Sequence, residues 1–314
     1  MRLSREAKFI ILIILIYFFL SWILTWTYFA THLKHIPDGW EAWHEQIMAG
    51  DHPDSNQFRI VTPLLAEAVS TAFVQPIFAS YLIIRFFFTF LIFCTFHLFL
   101  LKWFDHRTAL LSGVLLAAIT PVTYLPMLQE SDVALQFAFL VGLWFIREKK
   151  LVPLAILFAA AAFVKETIVF LVPFYLLIHW KRGAEVRALI ETAALCIVWG
   201  AAFYVSRTMI FDGQNSPLWQ LPHNIMVAKQ YFTYNPLVNA YLLWVPLFGV
   251  FWALPFVRYR EKPFFFQRAA IFIVIFTVLH FLFGWPEETR IMLPLAFLVI
   301  PAGLMTLFSL EGKP

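Results

Sequence analysis

Charged residues are scarce in this sequence. Asp, Glu, Lys and Arg make up 13% of the 314 residues, whereas soluble domains carry about 25%. Hydrophobic residues reach 61%, and the mean hydropathy is +0.78. This shortage of charge excludes an ordinary soluble globular domain. The composition instead predicts an all-α protein that crosses the membrane several times.

Cysteines and the motifs of soluble enzymes are also lacking. Cys94 and Cys196 both lie in apolar runs, so we interpret them as packing residues that say little about the redox compartment. There is no Gly-rich phosphate loop and no HExxH, CxxC or GxSxG motif. No loop is long enough to form a separate soluble domain, so 1–314 is interpreted as a single transmembrane domain. The net charge of +4 does not indicate nucleic-acid binding, because membrane topology explains the excess.

Long apolar runs dominate what is present. The first, Phe9–Ala30, would be about 33 Å long as a helix, enough to cross a bilayer core. It is too long for a cleaved signal peptide, which predicts an uncleaved first span. Lys165 and Glu166 interrupt the stretch Leu151–Ile178, which is therefore either two short spans or a re-entrant hairpin. We predict about ten spans, within a range of eight to eleven, at 9–30, 81–101, 108–125, 133–146, 151–178 (crossing twice), 187–207, 236–257, 269–284 and 291–308.

Basic and acidic residues are distributed unequally between alternate loops. With the N-terminus in the cytoplasm, 16 of the 23 Lys and Arg residues fall on the cytoplasmic side, and 12 of the 19 Asp and Glu residues fall on the other side. Because Lys and Arg collect in cytoplasmic loops, both termini are predicted to be cytoplasmic. The membrane is predicted to be an inner (plasma) membrane. The loops 31–78 and 208–235 then face the periplasm or exterior, and that outer face is predicted to be the working face.

The first outer loop has the pattern of two surface helices. Apolar residues recur at helical spacing in IPDGWEAWHEQIMAG, which predicts an amphipathic helix on the membrane surface. Asp38 precedes it; capping the helix is the commoner role for such an aspartate, and catalysis is the alternative. RIVTPLLAEAVSTAF predicts a second surface helix, with Thr62 as its cap and Pro63 at its first position. The loop's histidines resemble a metal site only loosely and are expected to be solvated; they are His32, His35, His44 and His52.

Two pairs of ionisable residues lie near predicted span ends. Glu130 and Asp132 stand at the start of the fourth span, where the helix dipole favours acids. Two carboxylates there can also hold a divalent cation or an acceptor hydroxyl. Lys165 and Glu166 stand between two apolar runs, where charge is costly and marks function or pairing. Pairing is expected either between the two residues or with a neighbouring loop.

Three arginines complete the polar set. Arg290 follows Glu287 and Glu288 in a very short outer loop. Its guanidinium fork suits a phosphate, but a salt bridge to one of the adjacent acids is the simpler expectation. Arg85, inside the second span, and Arg207, at the end of the seventh, are expected to snorkel to the membrane surface.

The order of these features resembles the GT-C superfold of integral-membrane glycosyltransferases. PDGWEAWHEQIMAGD is similar to the family pattern D-x-x-x-Y-x-x-x-A-x-x-L-x-x-G, and AFVKETIVFLVP to L-x-K-E-x-x-x-x-x-x-P. PEETRIMLPLAF is similar to E-x-R-x-x-x-P of the mannosyltransferase branch and its bacterial relatives, and FRIVTPLLAEAV to their R-x-x-x-P-L-L run. Each motif alone is weakly specific, but the series covers about residues 1–300. This chain departs from the family pattern in two ways. It is shorter than the members that carry a C-terminal soluble domain. Gly39 and Trp40 follow Asp38, where a second acid is often found nearby.

The resemblance implies a function and a site. Members of the family move a sugar from a polyprenyl-phosphate or polyprenyl-diphosphate carrier to an acceptor at the outer face, usually with inversion. The resemblance implies that this chain is a hexosyl or pentosyl transferase with Asp38 as general base. The implied acceptor is a glycan, a lipid or a protein. The lipid bilayer is the other implied partner, and no nucleic acid is expected to bind. No cofactor is required, and a divalent cation (Mg or Mn) is optional. The implied phosphate-binding residues are Arg290, Lys165 and Arg59, those for the acceptor or optional metal are Glu130 and Asp132, and the supporting residues are Glu166 and Glu288.

Two other classes of protein are open alternatives. A transporter or flippase of lipid-linked sugars would bury its polar groups near the bilayer midplane, with access from both sides. The polar groups here gather at one face, which favours an enzyme. A polysaccharide polymerase or ligase would use similar arginine and acid chemistry, so the sequence separates it poorly from a glycosyltransferase.

Overall fold

The computed structural model describes residues 4–32, 38–51, 58–124, 130–210, 220–226, 244, 247–284 and 288–308. Over these ranges the chain is helical and contains no β-strand, as the composition predicts. Its α-helices are α1 (Arg5–His32), α2 (Asp38–Ala49), α3 (Val61–Phe73), α4 (Ile77–Leu100), α5 (His106–Ile119), α6 (Ser131–Arg147), α7 (Leu151–Ala162), α8 (Leu171–His179), α9 (Glu185–Val205), α10 (Phe264–Phe283) and α11 (Ala296–Leu307). Shorter 3-10 segments include Thr120–Thr123, Glu166–Phe170 and Thr289–Leu295, and a π-helical turn, Ser206–Ile210, follows α9.

Five helices in the described part of the chain are long and apolar enough to cross a membrane. They are α1, α4, α9 extended to Thr208, α10, and α11 together with the preceding turn from Thr289. Helices α3 and α7, and α8 with its preceding 3-10 turn, are apolar but shorter. The chain thus has the helices of an integral-membrane protein. The total of about ten spans stays a prediction. Of the predicted span at 236–257, residues 236–243 and 245–246 lie outside the described residues, and the described part contains the 3-10 turn Gly249–Trp252 followed by further turns.

Aromatic side chains fill the core between the helices. Phe139 of α6 lies 6.5 Å from Phe272 and 5.9 Å from Phe276 of α10, measured between ring centroids. Phe96 of α4 lies 5.3 Å from Phe297 of α11. Of the 18-residue apolar stretch that includes α11, 89% is buried inside the bundle, whereas only 11% of the corresponding stretch of α9 is buried. Helix α11 therefore lies at the centre. Inside a membrane, packing contacts hold helices together, because helix association there expels no water from apolar surface. This central aromatic layer therefore positions the helix ends that carry the polar residues.

The connections rich in Lys and Arg meet at one end of the bundle. The guanidinium carbon of Arg147, at the end of α6, lies 4.6 Å from the ring centroid of Trp103, which follows α4. Trp103 also contacts Phe265 and Phe266 at the start of α10. These turns therefore share one end, as the charge pattern predicts. The side of the membrane that they face stays a prediction.

The interruption predicted within 151–178 is present. Helix α7 ends at Ala162, Lys165 has an extended backbone (φ −166°, ψ 135°), and a 3-10 turn then leads into α8. Helix α6 packs against both α7 and α8. The break therefore carries Lys165 and Glu166 into the space beside the start of α6.

Helices α2 and α3 lie where two helices were predicted in the first outer loop. Their position on the membrane surface stays a prediction, and the predictions for Thr62, Pro63 and two of the histidines are wrong. Helix α3 begins at Val61 with Ile60 as its cap residue and no side-chain cap bond. Thr62 is therefore buried rather than capping, and Pro63 is the third residue of the helix rather than the first. His44 is also buried rather than solvated: its Nδ1 lies 2.8 Å from the Tyr81 hydroxyl of α4. This contact holds α2 against α4. Of the other loop histidines, His32 is buried as well, and His35 and His52 lie outside the described residues.

Candidate functional site

Asp132 is the centre of a buried group of charges. It lies in the first turn of α6, and its Oδ1 accepts a hydrogen bond from Lys165 Nζ at 2.5 Å. Its Oδ2 lies 2.7 Å from Nε of Arg290, which precedes α11. The exposed fractions are 7% for Asp132, 1% for Lys165 and 5% for Arg290. Removing charges from water is costly unless they are paired, and here one carboxylate serves two cations.

A second ion pair adjoins the first. Arg59, just before α3, donates from Nη2 to Glu166 Oε1 at 2.6 Å and from Nε to Glu166 Oε2 at 3.2 Å, the two-pronged geometry that guanidinium groups form with carboxylates. Glu166 directly follows Lys165, so the two pairs share one stretch of backbone. Burial alone would lower the pKa of Arg59, but the Glu166 carboxylate outweighs it and raises that pKa above its usual range. Arg59 is therefore a fixed positive charge.

Arg290 also has the partner that the sequence favours. Its Nη2 donates to Glu288 Oε1 at 2.8 Å, so the expected bridge to an adjacent acid is present; Glu287 lies outside the described residues. Arg290 therefore contacts two carboxylates, those of Glu288 and Asp132. The side chains Arg59, Asp132, Lys165, Glu166, Glu288 and Arg290 are called the ion-pair cluster below.

Arg85 does not snorkel as expected. It is 5% exposed, and its Nη2 and Nε donate to Glu130 Oε2 at 3.0 and 3.2 Å. The Tyr28 hydroxyl of α1 donates to Glu130 Oε1 at 2.6 Å, and the Arg85 guanidinium carbon stands 3.3 Å from the Tyr28 ring centroid. Since Glu130 lies two residues before Asp132, this pair fixes the start of α6 from the side of α1 and α4.

A small cavity connects the Arg85–Glu130 pair to the ion-pair cluster. Its volume is about 30 Å³, and Arg85, Asp132 and Arg290 contribute to its lining together with Gln136 of α6 and Thr120 after α5. A space of this size and polarity has room for ordered water.

Arg207 is likewise buried rather than snorkelling, with 8% of its surface exposed. Its guanidinium carbon lies 4.2 Å from the ring centroid of Phe58 and 4.6 Å from that of Phe203. Phe58 is the neighbour of Arg59 in the chain. Arg207 thus lies beside the ion-pair cluster, at the end of α9.

Seven of the eight residues assigned from the sequence lie in this region: Arg59, Glu130, Asp132, Lys165, Glu166, Glu288 and Arg290. Asp38 is the first residue of α2, and its side chain lies outside the described part of the structure. Sequence reasoning missed the roles of Arg85 and Tyr28. One usable signal for Arg85 was a lone arginine within a span, which requires a buried partner.

The two carboxylates proposed for an optional metal do not fit a cation in this arrangement. Both oxygens of Glu130 accept hydrogen bonds from Tyr28 or Arg85, and both oxygens of Asp132 face cationic nitrogens. A divalent cation would have to displace them. Within the described ranges, no three His, Cys, Asp or Glu side chains are grouped as metal ligands.

Comparisons of this chain with protein-family models, with curated proteins and with solved structures find no match.

Proposed function

We propose that this chain is an integral-membrane glycosyltransferase of the GT-C type, which moves a sugar from a polyprenyl-phosphate or polyprenyl-diphosphate carrier to an acceptor at the outer face of the membrane. One observation supports this most. Arg59, Lys165 and Arg290, singled out as phosphate ligands in three distant parts of the sequence, all lie in one buried cluster around Asp132 and Glu166.

The cluster suits a leaving phosphate. In the transfer, an acceptor hydroxyl oxygen bonds to the anomeric carbon of the sugar, and the bond from that carbon to the carrier's phosphate oxygen breaks. The electron pair of the broken bond stays on the phosphate, so fixed cations beside that oxygen lower the barrier. Arg59, Lys165 and Arg290 supply them, and their acid partners hold them in place before the carrier arrives. The acceptor proton goes to a general base, the role proposed for Asp38.

The location of the cluster favours an enzyme over a transporter. Asp132 lies in the first turn of α6, Lys165 lies in the break after α7, and Arg290 lies in the turn before α11. Each of the three residues lies at the end of a helix, whereas a transporter of lipid-linked sugars is expected to bind its cargo near the bilayer midplane, with access from both sides. A carrier phosphate at the membrane surface would meet the cluster while its polyprenyl chain stays in the lipid.

The proposal is tested by transfer of a labelled sugar from a polyprenyl-phosphate or polyprenyl-diphosphate donor, using the purified full-length chain in lipid nanodiscs. Lys165→Met removes a cation from the cluster, and we expect the transfer rate to fall by about tenfold or more, a loss of at least about 1.4 kcal/mol of transition-state stabilisation. Lys102→Met, at the other end of the bundle, is the matched control and should leave the rate unchanged. The absence of transfer from every donor class, or full activity in a folded Lys165→Met variant, would contradict the proposal.

A further inference from the structure

Gln136 of α6 is an amide buried inside the bundle. More than nine-tenths of its surface is buried, and its side chain makes no hydrogen bond to any residue that the structure describes. A buried amide without a hydrogen bond destabilises a protein, so packing alone does not explain this residue. Gln136 lines the cavity between the Arg85–Glu130 pair and the ion-pair cluster. The amide is therefore placed for a hydrogen-bonding group that enters this cavity.

Thr89 lines the same cavity from α4, the helix that packs against α6. A threonine hydroxyl in a helix commonly donates to the carbonyl oxygen one turn earlier, as that of Thr120 does to Leu116 at 2.7 Å. The Thr89 hydroxyl makes no such bond among the described residues, although the side chain is buried. Two neutral polar groups on adjacent helices thus indicate one polar occupant.

The size and the walls of the cavity limit what this occupant can be. Its volume of about 30 Å³ takes about two water-sized groups, since each needs roughly 10–15 Å³. Apolar side chains form much of the remaining wall, among them Ile92, Phe93 and Leu116. One carbon and one hydroxyl oxygen match this space, because the carbon packs against the apolar wall while the hydroxyl bonds to Gln136 and Thr89.

The cavity also lies where a carrier-linked sugar must be. Asp132 and Arg290 belong to the ion-pair cluster and line the cavity as well. In the donor, the anomeric carbon of the sugar is bonded directly to a phosphate oxygen, so the sugar ring lies beside the cations that hold the phosphate. A hexopyranose carries a hydroxymethyl arm on the carbon across the ring oxygen from the anomeric carbon. That arm can enter the cavity while the ring stays beside the cluster.

We propose that this cavity binds the hydroxymethyl group of a hexosyl donor, and that Gln136 and Thr89 are its specificity-determining residues. The inference rests on the proposed function and narrows the transferred sugar from a hexose or a pentose to a hexose. A pentopyranose lacks the arm, and a 6-deoxyhexose carries a methyl group in its place. A site built to hydrogen-bond a hydroxyl rejects the analogue without it, because the polar groups of the site are left unpaired.

The inference predicts a selectivity that Gln136 controls. The wild-type chain should transfer a hexosyl group at least about tenfold faster than the 6-deoxy form or the corresponding pentosyl group, a difference of about 1.4 kcal/mol. Gln136→Met keeps an unbranched side chain of similar length. It should slow hexosyl transfer about tenfold and change transfer of the other two groups by less than about twofold. Because the variant loses a buried amide without a hydrogen bond, its melting temperature should be no lower than that of the wild type.

The experiment measures transfer by the purified full-length chain in lipid nanodiscs, with the carrier class that supports transfer. The donors carry glucose, mannose or galactose, and each is compared with its 6-deoxy form and with the pentose that lacks the arm. Thr89→Val is tested beside Gln136→Met and should change the selectivity in the same direction.

Thr277→Val is the matched control. Thr277 lies in α10 outside the cavity lining, and its hydroxyl donates to the Ile273 carbonyl at 2.8 Å. This variant should leave the selectivity unchanged. Gel filtration and melting temperatures establish that each variant is folded.

The outcomes separate this inference from the proposed function. A wild-type chain that transfers a 6-deoxyhexosyl or pentosyl group as fast as the matching hexosyl group, or in its place, would overturn the hydroxymethyl subsite and leave the proposed function standing. The same follows if folded Gln136→Met and Thr89→Val variants keep the wild-type selectivity, in which case the cavity holds water only. It also follows if Gln136→Met slows transfer from all donors equally, the result expected of a structural residue. A wild-type chain that transfers sugar from no donor would overturn both proposals.

Discussion

Replacing Asp132 with asparagine tests the ion-pair cluster most severely, because one change removes the carboxylate from two buried cations. The side chain keeps its shape, but Lys165 and Arg290 lose the charge that their nitrogens face at 2.5 and 2.7 Å. Removing one partner of a buried pair costs about 3–5 kcal/mol. We therefore expect Asp132→Asn to lower the free energy of unfolding by at least about 3 kcal/mol.

The assay is unfolding of the purified chain by SDS in mixed micelles, followed by loss of helix. Asp105→Asn is the matched control: Asp105 caps α5 by accepting a hydrogen bond from the Thr108 amide at 2.9 Å, and asparagine caps nearly as well. The double variant Asp132→Asn with Lys165→Met should recover part of the loss, since it removes one stranded cation. If Asp132→Asn costs no more than Asp105→Asn, or the double variant is less stable than the single one, the reasoning is refuted.

Three further predictions concern catalysis and topology. Asp38→Asn should preserve folding, because both residues cap helices, and should lower transfer by about 100-fold or more, the contribution typical of a general base; wild-type activity in this variant would remove Asp38 as the base. Arg290→Lys should weaken carrier binding or turnover by about tenfold, since it loses the guanidinium fork. If Arg290→Lys leaves binding and turnover unchanged while Lys165→Arg strongly reduces them, the phosphate binds at Lys165 instead. In a chain without its native cysteines, an impermeant thiol reagent added to intact cells should label Ser55→Cys but not Gly183→Cys, and the reverse pattern would invert the topology.

Local patterns predicted most of the helices. The apolar runs became α1, α4, α9 and α10 with ends that shift by a few residues, because hydropathy reports lipid-facing length directly. The break before Lys165 was also predictable, since two adjacent charges cannot sit in the middle of an apolar helix without partners. The number of spans was less accessible: α5 and α7 are short helices that packing within the bundle supports, so their length alone does not say whether they cross the membrane.

The Arg290–Glu288 bridge was predicted, but the partners of Lys165, Glu166 and Arg85 were beyond sequence reasoning because they lie in distant segments. Lys165 and Glu166 are neighbours, yet the backbone at Lys165 is extended, and successive side chains of extended backbone point in opposite directions. Each therefore finds its partner elsewhere, Lys165 in Asp132 and Glu166 in Arg59. Arg85 and Glu130 are also far apart in the sequence. Only the packing of α4 against α6 brings these two residues together.

The most direct test of the central claim is a structure of the full chain in nanodiscs with a bound polyprenyl phosphate or diphosphate. The account predicts a phosphate within hydrogen-bond distance of at least two of Arg59, Lys165 and Arg290, with the polyprenyl chain leaving the cluster toward the lipid. A carrier phosphate bound away from all three cations, with the Asp132 and Glu166 ion pairs unchanged, would contradict it.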